Sequence, residues 1–422
     1  MQTVGNLLCM DGSTDYLPRL LDGALAAALT TAPIVLLDGP RGAGKTTSAR
    51  RLANSRVMLP RDRDQLTASP ETYLAALEPP VLIDEWQLAG TDLLWALKGL
   101  VDDDPQPGRF ILTGSVEPAT YGPTYPLTAR AVRLVMRPMT LAELDGGGST
   151  APFLRSALDG DTPVVTAGIP ARFDLRWLLS SGFPATRAMP DARLFLDAYA
   201  GLVSQRAGEE GRDSSRLLRT MRVLATLESQ AVPEQRIWEA SDINKVTWKA
   251  YDDILQRTHL AAPSAAFESN RLKRLTSYPK RHFADTALAL SLADLALEDL
   301  HASPTMAGHY LESFVLQQLR PQVDLVGGVL THVRTSGGGR EVDVVVEVGN
   351  RVLGLEVKRG SRPTSTDARH LVWLRDALGD RFTQGYVVHT GGDTYPLADR
   401  VWAVPIALVA GPTNESRQVA SG

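Results

Sequence analysis

Residues 39–47, Gly-Pro-Arg-Gly-Ala-Gly-Lys-Thr-Thr, carry the most specific chemical signal in the chain. They match the GxxxxGK(S/T) spacing of a phosphate-binding loop. Gly39, Gly42 and Gly44 let backbone N–H groups turn inward on a β-phosphate, and a helix starting behind them adds positive potential. Lys45 would bridge the β- and γ-phosphates of ATP, and the Thr46 hydroxyl would ligate Mg²⁺. Thr47 completes the nucleotide-binding set. A second run, Val81-Leu-Ile-Asp-Glu85, ends in two acids. On a strand of an open α/β sheet they would lie at the carboxyl end, where such sheets bind ligands. Asp84 would hold Mg²⁺ through water and Glu85 would activate the attacking water. A third run ends in Leu112-Thr-Gly-Ser115, which would put Ser115 between these acids and the γ-phosphate. Arg130 would neutralise transition-state charge, in trans if the protein oligomerises.

A different chemistry is written near the C-terminus. Arg340 to Val348 alternates with period two, Gly349-Asn350 is a two-residue turn, and Arg351 to Lys358 returns. Asp343 therefore lies on one strand, and Glu356 and Lys358 share a face of its partner. This is the D…ExK arrangement of the restriction-endonuclease-like fold. Asp343 and Glu356 would hold Mg²⁺, and Lys358 would position the water that attacks a phosphodiester.

Several elements must position these residues. Apolar runs at Ile34–Leu37, Val81–Ile83, Phe110–Leu112 and Val132–Val135 alternate with helical patterns, as in an α/β sheet. We expect a P-loop ATPase domain of the ASCE type over 1–150, with a Gly-rich break at Gly146–Ser149. A helical region with a winged helix follows over 151–300, and a restriction-endonuclease-like α/β domain over 301–410. The polar tail, 411–422, is expected to be disordered. In the middle region Lys245 to Gln256 reads as a recognition helix, with Arg271, Lys273 and Arg274 on a basic wing. Such a module would contact DNA or serve as a lid.

Composition narrows the field. The net charge of −4 gives no global attraction to nucleic acid, so any such contact needs a local patch. The single cysteine, Cys9, excludes an intrachain disulfide or a Cys-based zinc site and suits a reducing cytoplasm. No stretch reads as a membrane span, and no histidine shows zinc-ligand spacing. Trp86 and Trp248 read as packing residues.

The chain resembles the prokaryotic AAA-like ATPases that carry a C-terminal domain of unknown function related to restriction endonucleases. The resemblance rests on GPRGAGKTT, VLIDEWQ, ILTGS, PLTAR with RPMTLAEL, SGFPA, YPKRHFADTAL, EVDVVVE and LEVK, in that order along nearly the whole chain. Relatives tend to carry Gly where Ala129 stands and Glu where Ala185 stands. The resemblance implies Glu312, on an upstream helix, as a further acid at the Asp343–Glu356 metal site. The combined expectation is an ATP- and Mg²⁺-dependent switch coupled to a nuclease-like domain that meets DNA or RNA. Defence, toxin-like and mobile-element settings all suit such a protein. The alternative is a regulatory ATPase, working through a homo-oligomer or a protein partner, whose nuclease-like domain is inactive.

Overall fold

The computed structural model describes residues 16–115, 125–146, 153–163, 172–267, 278–335 and 339–411. Cys9, the Gly147–Ser149 break, the wing residues Arg271, Lys273 and Arg274, and the tail after Gly411 lie outside the described residues. The chain divides into two units. One holds Met1–Arg137 with Arg257–His259, and the other Pro138–Gln256 with Leu260–Gly422.

The first unit is built on β1 (Ile34–Asp38), β2 (Ser55–Met58), β3 (Val81–Asp84), β4 (Phe110–Gly114) and β5 (Ala131–Val135). All pair in parallel, in the order β2-β3-β4-β1-β5. Every residue of β1, β3 and β4 is buried. Continuous Val/Ile/Leu runs suit strands covered by helices on both faces. One covering helix, Thr91–Asp103, buries Leu93, Leu94, Ala96, Leu97 and Val101 on its apolar side. Because β4 lies between β1 and β3, the residues ending β4 stand between the loop after β1 and the acids after β3.

In the second unit, helices Ala192–Ser204, Ser214–Thr226, Glu234–Ala240 and Lys245–Arg257 precede β6 (Ala261–Ala266) and β7 (Lys280–Phe283). The long helix Pro304–Leu325 leads into β8 (Val329–Arg334), β9 (Glu341–Val348) and β10 (Arg351–Lys358), an antiparallel meander. Helix Arg369–Leu378 then returns the chain to β11 (Phe382–His389), parallel to β10, followed by β12 (Tyr395–Ala398) and β13 (Val401–Pro405).

These strands form one sheet, β12-β13-β11-β10-β9-β8-β6-β7. β6 bonds antiparallel to β7 and touches β8 in parallel at Ala265–Thr331 and Ala266–His332. The middle and C-terminal regions thus share a sheet, and one apolar core runs from Leu141 to Ala410. Helix Pro304–Leu325 is buried along most of its length. Its polar residues act as staples. Gln317 accepts the Thr286 N–H at 2.9 Å and Gln318 accepts the Leu141 N–H at 2.8 Å.

Candidate functional site

The loop after β1 is shaped by its glycines. Gly39, Gly42 and Gly44 all have positive φ. A Cβ on Gly39 would come within 2.1 Å of the Met136 carbonyl oxygen, so that position admits no side chain. Helix Lys45–Arg50 begins directly behind Gly44. Lys45 is buried and donates from Nζ to the carbonyls of Gly39 (2.8 Å) and Pro40 (2.9 Å). Burial pulls its pKa down to about 8, against the opposing charges of Glu85, Asp38 and Asp84. Arg19, also buried, braces the loop by donating to the Ala43 and Arg137 carbonyls, both at 2.7 Å. Arg19 precedes every recognisable motif, and sequence reasoning missed it.

The acids stand where the sheet order requires. Thr46 Oγ1 donates to Asp84 Oδ1 at 2.8 Å, and Thr113, on the intervening strand β4, donates to the same oxygen. Glu85 has a left-handed backbone (φ 53°) and accepts from Ser115 Oγ at 3.0 Å and from Gln87. Ser115 is therefore on Glu85, joining the end of β4 to the end of β3. Arg130 is held by Asp102, with Nε and Nη2 on its two oxygens at 2.5 and 3.1 Å. Hydrogen bonding to Arg130, then to Lys98, pulls the Asp102 carboxyl down to about 2. Ala129 has φ 63°, a left-handed backbone that glycine adopts more readily than alanine. Thr47 lies in the first turn of the helix behind the loop.

In the second unit, Glu312, Glu341, Asp343, Glu356 and Lys358 line one cavity of about 570 Å³. The hairpin is as the alternation requires, with Arg351 opposite Val348 and Leu355 opposite Val344. Asp343 Oδ2 accepts the Val357 N–H at 2.9 Å, and Lys358 Nζ donates to Glu356 Oε1 at 2.7 Å. Burial, then the nearby Asp343 charge, pushes the Glu356 carboxyl up to about 8.

Sequence reasoning gave Lys280 no role beyond its place in the Tyr278–Leu288 motif. It is buried in this cavity, with Nζ 2.9 Å from Glu312, 3.2 Å from Glu341 and 3.5 Å from Asp343. Burial works against its charge, but the carboxylates outweigh it and hold the ammonium above the ordinary lysine range. Burial pushes Glu312 up and Lys280 pulls it back. Among the described residues, no three His, Cys, Asp or Glu side chains are arranged to hold a metal ion.

The candidate recognition helix is tied inward. Lys249 bonds Glu234 at 2.9 Å, and Gln256 donates to Asp252 at 3.1 Å. Arg281 pairs with Glu234 and Asp252 and lies over the Trp248 ring. Trp86 and Trp248 are both buried.

The loop, the parallel sheet and its acids give the first unit the α/β fold of a P-loop NTPase. Residues 31–145 match the family described as AAA domain. Residues 178–299 match the domain of unknown function DUF8612, and residues 307–409 the domain of unknown function DUF4143. The chain is similar to two uncharacterized mycobacterial proteins, Mb2031c of Mycobacterium bovis and Rv2008c of Mycobacterium tuberculosis. Each is 29% identical over 407 residues, which cover 93% of this chain and 84% of theirs. Among solved structures, the Walker-type ATPase PABY2304 of Pyrococcus abyssi aligns with 68% of this chain and 99% of its own, at 18% identity and a TM-score of 0.41. Among the described residues no helix is long and apolar enough to cross a membrane.

Proposed function

We propose that the first unit binds ATP with Mg²⁺ and hydrolyses it. The observation that carries this reading is the buried Lys45 ammonium, held by two loop carbonyls inside a cradle that only glycine can line at Gly39. Lys45 would exchange those carbonyls for the β- and γ-phosphates, with Gly42, Gly44 and Thr47 completing the cradle. Thr46 and Asp84, already in contact, would hold Mg²⁺, which supplies charge neutralisation at the phosphates when bound. Glu85 would polarise the attacking water, and Ser115 would link its position to the γ-phosphate. Arg130, once released from Asp102, would act in trans in a homo-oligomer. The test is Mg²⁺-dependent phosphate release by the purified chain, with and without DNA or RNA. Absence of turnover in every condition sinks the reading.

For the second unit, helices Ser214–Thr226, Glu234–Ala240 and Lys245–Arg257, followed by the β6–β7 pair, support a winged helix. The meander, returning helix and parallel strand, with Asp343 and Glu356 side by side, support a restriction-endonuclease-like fold over 301–410. A nuclease-like domain that meets DNA or RNA under control of ATP is the first functional reading. A specific observation favours the second, a regulatory ATPase with an inactive nuclease-like domain: Lys280 stands among the carboxylates that a catalytic metal would need. The two separate on incubation of wild type with DNA and RNA in Mg²⁺ or Mn²⁺. Cleavage lost in Asp343→Asn would restore the nuclease. We expect none.

A further inference from the structure

We infer that Lys280 is a built-in cation that takes the place of a divalent metal in the acidic cavity and keeps it closed to metal ions. This deepens the inactive-domain reading above and is independent of the ATPase reading. An ammonium has three N–H donors, and three carboxylates surround this one, those of Glu312, Glu341 and Asp343. The remaining groups are also engaged. Asp343 Oδ2 holds the Val357 N–H, and Glu356 Oε1 holds Lys358.

Lys280 is anchored as well. It sits opposite Ser264 at the start of β7 and bridges to Ala231 on its other side. A divalent ion entering the carboxylates would have to expel this ammonium from its partners, leaving a buried cation unpaired beside a second cation, which is costly. Carboxylates on two adjacent strands and one helix are the donor type a hard cation takes, but among the described residues around Lys280 no three of them are arranged to hold one. One oxygen, Glu356 Oε2, is buried without a hydrogen-bond partner. It marks a carboxylate whose coordination the fold leaves incomplete. The cavity is a cation site whose cation is covalently supplied by the chain.

The test is calorimetric titration of Mn²⁺ into the full, nucleotide-free chain, in wild type, Asp343→Asn, Lys280→Ala and the double variant. We expect wild type and Asp343→Asn to give the same isotherm. Lys280→Ala should gain a binding event that disappears in the double variant, and Mn²⁺ should raise the melting temperature of Lys280→Ala but not of wild type. A wild-type Mn²⁺ event lost in Asp343→Asn overturns the inference. So does a folded Lys280→Ala that gains nothing. If Lys280→Ala does not fold, Lys280→Met, which keeps the side-chain volume, takes its place with the same two outcomes. ATP turnover on the same preparations tests the ATPase reading separately.

Discussion

Lys45 and Lys280 are both almost wholly buried, yet their surroundings differ in kind. Lys45 donates to two neutral carbonyls, and burial leaves it easier to deprotonate than an ordinary lysine. Lys280 has carboxylates at 2.9 to 3.5 Å and is harder to deprotonate than an ordinary lysine. An ammonium that waits for an anion is held by groups it can leave at little cost. An ammonium that has its counter-ions is already in its final state. On the two readings proposed above, the same residue type binds a ligand in one unit and serves as a structural cation in the other.

The comparison can be broken at several points. The largest effect is expected from Glu85→Gln, which keeps Lys45, Thr46 and Asp84 but removes the proposed base. ATP turnover should fall by about 10²–10⁴-fold, the usual contribution of a positioned general base, with ATP affinity retained in a binding titration. Turnover at the wild-type rate would remove Glu85 from the role.

Next comes Lys280→Met, which strips the counter-charge from buried carboxylates. Removing one partner of a buried pair costs about 3–5 kcal/mol, so chemical denaturation should show a loss of that order. A change near zero would mean that Lys280 is not the cation of the cavity. Lys45→Met should behave differently. The folded protein loses two bonds to carbonyls and the attraction of Glu85, Asp38 and Asp84. None of these acids is in direct contact with Lys45 as Glu312 is with Lys280, so stability should fall less than in Lys280→Met. ATP binding should weaken by about ten- to a hundredfold, as loss of a hydrogen bond to a charged group implies, about 1.5–3 kcal/mol. Equal stability losses in the two variants would erase the contrast.

The two sites were unequally legible in the sequence. The phosphate-binding loop is local, and its glycines, lysine and threonine are contiguous, so spacing alone places them. The apolar runs of β1, β3 and β4 announce buried strands. β2, Ser-Arg-Val-Met, does not, because only Val57 is fully buried at that edge. The β9–β10 hairpin was legible from period two and a two-residue turn. Lys280 was not. It meets Glu312 across 32 residues of chain, and nothing local in Tyr-Pro-Lys-Arg-His distinguishes a surface wing from a strand entering a core. The joining of β6 to β8 was equally hidden, since Ala-Ala-Pro-Ser-Ala-Ala has weak strand character and the contact involves two residue pairs. Arg19 shows the same limit, because its value lies in carbonyls that only the folded loop presents.

The effect read one pH unit at a time concerns a third buried charge site, Glu228, which no cation pairs with among the described residues. Glu228 accepts the Phe283 N–H at 3.0 Å and the Ser313 hydroxyl on Oε1, while Oε2 is buried without a partner. Burial pushes its carboxyl up to about 8, opposed by those two hydrogen bonds. It is therefore the acid form that fits the folded protein. A raised carboxyl pKa means that the folded state holds a proton the unfolded chain has released. Its contribution is fully present below the unfolded value and is lost as pH rises through the folded one. Between pH 4.5 and about 8, wild-type stability should fall by about 1.4 kcal/mol per pH unit from this group. Glu228→Gln keeps the accepting oxygen and cannot ionise. The difference in unfolding free energy, variant minus wild type, should therefore grow with pH across that window, while other titrating groups cancel. Denaturation series at several pH values measure it. A constant difference would mean that Glu228 titrates alike in the folded and unfolded protein, and would sink this assignment.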